Sequence, residues 1–141
     1  MEKQKILIAD DSEMNRALLV DILENQYDIV EADNGAAAID LLTQCGGDFS
    51  LLLLDIMMPE MDGFEVLAYI NRYHLNDTLA VIMISADDSP ANIKRAYDLG
   101  AFDYISRPFD AAIVRRRISN TMLLYARQRH LENIIAEQFY E

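Results

Sequence analysis

The 141-residue chain predicts a three-layer α/β fold in which a central parallel sheet of five strands is covered by helices on both faces. Three observations carry that expectation. Short apolar runs of β type alternate with longer helical patterns five times along the chain. The first, third and fourth runs are apolar at nearly every position, as strands buried on both faces of a parallel sheet require. The helical patterns between them carry polar capping residues and glycines at their ends.

The strands are expected at Lys5 to Ala9, Asp28 to Glu31, Ser50 to Leu54, Leu79 to Ile84 and Phe102 to Ile105. Ser12 can cap a first helix carrying Leu18, Leu19, Ile22 and Leu23, and Gly35 opens an alanine-rich second helix that Gly46 and Gly47 stop. Gly63 precedes a third helix with Phe64, Leu67 and Ile70 on one side. Ser89 and Pro90 supply a cap and a first helical residue for the fourth, which ends at Gly100. Right-handed crossovers bring the carboxyl ends of all the strands to one edge, where ligands of such sheets collect.

From Asp110 to about Gln138 there is neither glycine nor proline, which predicts one helix of roughly 29 residues, about 43 Å at 1.5 Å per residue. A heptad-like series runs through Val114, Thr121, Leu124, Gln128, Leu131, Ile135 and Gln138, with polar interruptions. The chain therefore divides into a core of residues 1–120 and a helical extension of residues 121–141 that serves as a signalling element and links to an output domain. No glycine cap or charged tail marks the end at Glu141, so a longer parent protein is expected. Roughly 30 residues in one helical pattern cannot supply a winged-helix DNA-binding output.

Composition narrows the class. With 52% hydrophobic and 26% charged residues, disorder and low-complexity chains are excluded. The net charge is −12, yet residues 111–141 hold five arginines against three glutamates, leaving the rest strongly acidic. That imbalance argues against nucleic acid as a direct partner and for a protein surface or a cation. A lone cysteine, Cys45, has no internal disulfide partner, and no basic-plus-apolar leader precedes the first strand, so a cytoplasmic protein is expected. The longest apolar runs fall far below the roughly 20 residues of a membrane helix.

The chemistry gathers at the strand ends. Asp10 and Asp11 follow the first strand and Asp55 the third. Three carboxylates in one pocket repel each other unless a cation neutralises them, and Mg²⁺ suits a small open oxygen site better than Ca²⁺. Ser85 ends the fourth strand, and Ser106-Arg107-Pro108-Phe109 follow the fifth, adding a hydroxyl and a guanidinium across the same crevice. Carboxylate, metal, hydroxyl and guanidinium converging on one point make a phosphoryl site.

The chain resembles the receiver domain of two-component response regulators. The matching residues are Ile6 to Asp11, Leu54 to Gly63 (LDIMMPEMDG), Ile84-Ser85-Ala86, Gly100 to Ile105 and Arg107-Pro108-Phe109, in order over residues 5 to about 120. The resemblance implies a flavodoxin-like, doubly wound sheet of order 2-1-3-4-5. It implies that Asp55 is the phosphoacceptor, that Asp11, Asp55 and the Met57 backbone carbonyl bind Mg²⁺, and that Asp10 acts mainly behind them. It assigns a phosphoryl contact and switching role to Ser85, and an aromatic switch to Tyr104. The phosphoryl group would come from a sensor histidine kinase or a phosphotransfer protein, and control either an attached output or a homodimer formed through the last helix. In the family, the positions of Met57 and Asp87 tune dephosphorylation.

One residue departs from the pattern. The family ordinarily carries lysine where this chain has Arg107, and the following proline is usually cis, which makes Pro108 a candidate for that isomer. Arginine stays cationic, but its planar fork differs from an ammonium on a flexible stem. Arg107 is the feature behind the alternative reading, a receiver that acts as an interaction module without phosphorylation. A haloacid-dehalogenase-type hydrolase would want a second acid where Met57 stands, and a dinucleotide fold or P-loop would want glycines where Asp10-Asp11-Ser12 stand. Segments like Pro108 to Asp110 followed by Ile113 to Arg117 and a Leu-rich helix also resemble receivers joined to cyclic-di-GMP synthases or hydrolases.

Overall fold

The computed structural model describes residues 3–86 and 89–140, apart from a few side chains near the end of the last helix. The elements are β1 (Lys5–Ala9), α1 (Glu13–Leu23), β2 (Asp28–Ala32), α2 (Gly35–Cys45), β3 (Phe49–Asp55), α3 (Gly63–Arg72), β4 (Ala80–Ser85), α4 (Pro90–Asp98), β5 (Asp103–Ser106) and α5 (Ala111–Tyr140), with 3-10 turns at Gly46–Asp48 and Leu75–Asp77. The strands pair in parallel in the order β2-β1-β3-β4-β5, the order the resemblance implied.

The pleat explains why three strands are apolar throughout. Leu7, Ala9, Leu52, Leu54, Val81 and Met83 point to one face, where Leu42 of α2 and Phe64, Leu67 and Ile70 of α3 cover them. Their alternates Ile6, Ile8, Leu51, Leu53, Ile82 and Ile84 point to the other, against Leu19 and Leu23 of α1 and Val114, Ile118 and Met122 of α5. Each central strand thus feeds two cores, and a polar residue on either face would be buried without a partner.

The two serine caps lie where the sequence puts them, and Asn34, Asp62 and Asp110 cap α2, α3 and α5 in the same way. Ser12 Oγ accepts from the Asn15 N–H at 3.2 Å, and Ser89 Oγ from the Asn92 N–H at 3.4 Å with Pro90 as first helical residue. α3 starts at Gly63 itself rather than after it, because Asp62 is the cap and accepts from the Glu65 N–H at 2.9 Å. Gly100 closes the α4 turn with φ +102°, a conformation costly for other residues.

α5 runs 30 residues, and its two halves differ. Val114, Ile118, Thr121 and Met122 are buried against the sheet. The Tyr125 hydroxyl donates to the Asn76 carbonyl, and its ring meets Phe102 edge-on at 5.9 Å. Beyond that anchor the helix leaves the body, with Leu131 and Ile135 each more than half exposed, as is Leu124 on the outer side just before it. The heptad-like series is corrected accordingly: Val114 and Thr121 belong to the sheet core, so an apolar seam can begin only at Leu124. Among the described residues, no helix is long and apolar enough to cross a membrane.

Candidate functional site

Parallel register brings the expected residues to one edge. Asp10 directly follows β1, its N–H bonded to the Ala32 carbonyl at 3.1 Å, while Asp55 ends β3 opposite Ile84. Ser85 ends β4 and is buried, and its carbonyl accepts from the Arg107 N–H at 2.9 Å, which fixes the backbone from which Arg107 reaches inward. The Arg107–Pro108 peptide is cis, the isomer for which Pro108 was a candidate.

Asp10, Asp11 and Asp55 each present a carboxylate oxygen within 4.8 Å of the others, the first and last from buried side chains and Asp11 from an exposed one. Asp10 Oδ1 accepts from the Ser12 N–H at 2.9 Å, whereas its Oδ2 is buried with no hydrogen-bond partner. Asp55 Oδ1 accepts from Arg107 Nη2 at 2.5 Å and from the Met57 N–H at 3.3 Å. The same guanidinium nitrogen stands 3.9 Å from Asp10 Oδ2.

Burial pushes the Asp55 carboxyl up to about 6, the Asp10 charge adds to the rise, and Arg107 and the Met57 N–H pull against it. At neutral pH it is mostly ionised. The donor set fits a hard divalent ion: clustered carboxylates, one orphaned buried oxygen and an exposed acid at the mouth. The Met57 carbonyl, the other expected ligand, belongs to a backbone segment tied to Asp55 through its own N–H.

Tyr104 on β5 is 5% exposed and faces inward, and its carbonyl accepts from Arg117 Nη1 at 2.6 Å. Arg117 also pairs with Asp103 at 3.4 Å. Asp87 lies outside the described residues.

Two contributors were not read from the sequence. Arg16 of α1 donates from Nη1 to the Asp10 carbonyl at 2.8 Å, and its Nε pairs with Glu31 of β2 at 3.1 Å. The available signal was the Ser12 cap, which puts Arg16 one turn into the helix, directly over the strand end. Gly63 is the second: a Cβ there would lie 2.3 Å from the Asp55 carbonyl oxygen. Only glycine lets α3 begin against the backbone of the acidic strand end, with its N–H bonded to the Ile56 carbonyl at 2.8 Å.

The response regulator receiver domain family model matches residues 6–119. The chain belongs to that family. A chemotaxis protein CheY of Halobacterium salinarum is 35% identical over 86% of this chain and 98% of its own length. A probable cyclic di-GMP phosphodiesterase of Vibrio cholerae is 35% identical over 80% of this receiver, which spans only 25% of that relative. Among solved structures, the CheX–CheY–BeF3–Mg complex of Borrelia burgdorferi contains a chain 30% identical with a TM-score of 0.79, over 84% of the receiver and 89% of that chain. A probable two-component response regulator with a GGDEF domain is 27% identical with a TM-score of 0.81, the receiver spanning 87% of itself and half of that chain. Receiver domains and their CheY-like relatives are signalling modules of two-component systems.

Proposed function

We propose that this receiver accepts a phosphoryl group on Asp55 from the phosphohistidine of a sensor kinase or phosphotransfer protein in the cytoplasm. The observation that carries the reading is the buried Asp55 side chain, held at the strand edge by the Arg107 cation and facing two further acids. A carboxylate oxygen of Asp55 forms the new O–P bond as the P–N bond of the donor breaks, and the imidazole departs with the electron pair. Asp11, Asp55 and the Met57 carbonyl would hold Mg²⁺, with Asp10 behind them. Bound there, the ion would offset the negative charge shared by acceptor and donor.

Ser85 and Arg107 would then contact the phosphoryl oxygens from β4 and from the turn after β5, and Tyr104 would follow the movement of that edge. Residues 1–120 form the receiver in this reading, and residues 121–141 a helical extension toward an output domain. Its support is the departure of α5 from the body after Tyr125 and the greater length of the phosphodiesterase and GGDEF relatives. The exposed Leu124, Leu131 and Ile135 offer a seam for a homodimer.

The alternative, an interaction module that needs no phosphate, draws on the Arg107 to Asp55 ion pair, which already neutralises the acceptor. Incubation with acetyl phosphate and Mg²⁺ separates the two. A mass gain of roughly 80 Da in the native chain, absent in Asp55→Asn, is the expected result. No adduct on the native chain, or one that survives the substitution, would overturn the assignment.

A further inference from the structure

We infer that Arg107 is a tethered competitor for the divalent cation: its guanidinium occupies the acidic cluster of the metal-free protein and must withdraw before the ion binds. The inference rests on the reading that the aspartate cluster takes Mg²⁺, and concerns what sets the affinity.

One guanidinium nitrogen is 2.5 Å from Asp55 Oδ1 and 3.9 Å from Asp10 Oδ2, so the positive charge stands between the two buried acids of the cluster. The side chain is 22% exposed, and its Nε is buried. The pairing is incomplete on both sides. Asp10 Oδ2 and Arg107 Nε are each buried without a hydrogen-bond partner. A closed, bidentate bridge would satisfy both and hold the arginine firmly. This contact instead leaves one acid oxygen and one donor unmet, which favours exchange for a ligand that satisfies them.

A guanidinium keeps its proton under all ordinary conditions, so it cannot yield the site by becoming neutral. A divalent ion drawn to the same carboxylates meets a fixed like charge in a poorly solvated pocket, where Coulomb interactions are strong. The arginine must therefore swing outward, toward the mouth where a phosphoryl group would arrive. Lysine at this position presents a compact, strongly hydrated ammonium on a flexible stem, which leaves the carboxylates more readily than a planar, weakly hydrated guanidinium. Arg107 thus couples two events: metal entry frees the guanidinium, and the freed guanidinium is available for the phosphoryl oxygens.

Calorimetric titration of MgCl₂ into EDTA-treated protein tests this with the wild type, Arg107→Gln and Arg107→Lys, alongside thermal midpoints with and without metal. Arg107→Gln should bind Mg²⁺ about tenfold more tightly than the wild type, with Arg107→Lys between them. The metal-free midpoint of Arg107→Gln should fall, because Asp10 and Asp55 lose their internal cation, and saturating Mg²⁺ should restore it. Should the glutamine variant fail to fold in EDTA, the lysine variant carries the comparison. Equal or weaker binding by the variants, with the wild type binding normally, would overturn the competitor role while leaving the metal site intact. Absence of any Mg²⁺-dependent heat or midpoint shift in all three proteins would overturn the metal site and the competitor with it.

Discussion

Arg16 and Asp10 are joined through the backbone: Arg16 Nη1 donates to the Asp10 carbonyl at 2.8 Å, so α1 grips the end of β1 at the residue that opens the acidic cluster. The grip leaves the Asp10 carboxylate free of Arg16 while fixing the chain that carries it. Arg16 is 15% exposed, which makes the bond a partly desolvated one to a charged donor.

Replacing Arg16 with Met should therefore cost about 1.5–3 kcal/mol in urea unfolding, the range for hydrogen bonds to charged groups. Glu31→Gln should cost less than about 1 kcal/mol, because the Glu31 side chain is 46% exposed and its pairing is screened. Equal losses would show that the Glu31 ion pair, rather than the Asp10 carbonyl, is what Arg16 holds.

Stability should depend on pH through Asp55. Its carboxyl is raised from 3.8 to about 6 in the fold, mainly by burial, so between those values the folded state binds more protons than the unfolded one. That contribution is complete below about pH 4 and is lost as pH rises through about 6. In EDTA, Asp55→Asn should gain on the wild type between pH 4 and pH 7, by on the order of 1 kcal/mol once solvent screening is allowed for. Measured by chemical denaturation, a difference that stays flat or shrinks over that range would contradict the burial of an ionised Asp55.

Gly63→Ala places a methyl group 2.3 Å from the Asp55 carbonyl oxygen and 2.8 Å from the Ile56 Cα. Backbone must shift to admit it, at roughly 1–3 kcal/mol by the usual cost of overpacking. Since the displaced segment carries Asp55, phosphoryl uptake from acetyl phosphate should slow even at temperatures where the variant is folded. Wild-type uptake with reduced stability would confine the role of Gly63 to packing.

Tyr125→Phe removes the hydroxyl that donates to the Asn76 carbonyl and keeps the ring against Phe102. A loss of about 1 kcal/mol is expected, with amide exchange rising in α5 beyond residue 121 more than in the sheet. Uniform loosening of the whole chain would mean that Tyr125 holds the core rather than the departure point of the helix.

Much of this protein is legible in local pattern. β1, β3 and β4 announce themselves as doubly buried because both faces of each strand must be apolar, and Ser12 and Ser89 mark helix starts through hydrogen bonds that span three residues. Asp10, Asp11, Asp55, Ser85 and Arg107 could be picked out by chain position alone, since a parallel sheet delivers every strand's carboxyl end to the same edge. What chain position could not supply is which of these groups touch. Arg107 and Asp55 are 52 residues apart, and only the packing of β5 beside β4 brings the guanidinium between two acids. Arg16 meets the Asp10 carbonyl because α1 lies across the strand end, and Gly63 matters because α3 starts against the backbone of Asp55. The heptad pattern of α5 was equally blind to the sheet beside it. Val114 and Thr121 fit a coiled-coil seam and a core face alike, and burial against β4 and β5 decided for the core, because an apolar helix face pairs with whichever apolar surface the tertiary fold sets against it.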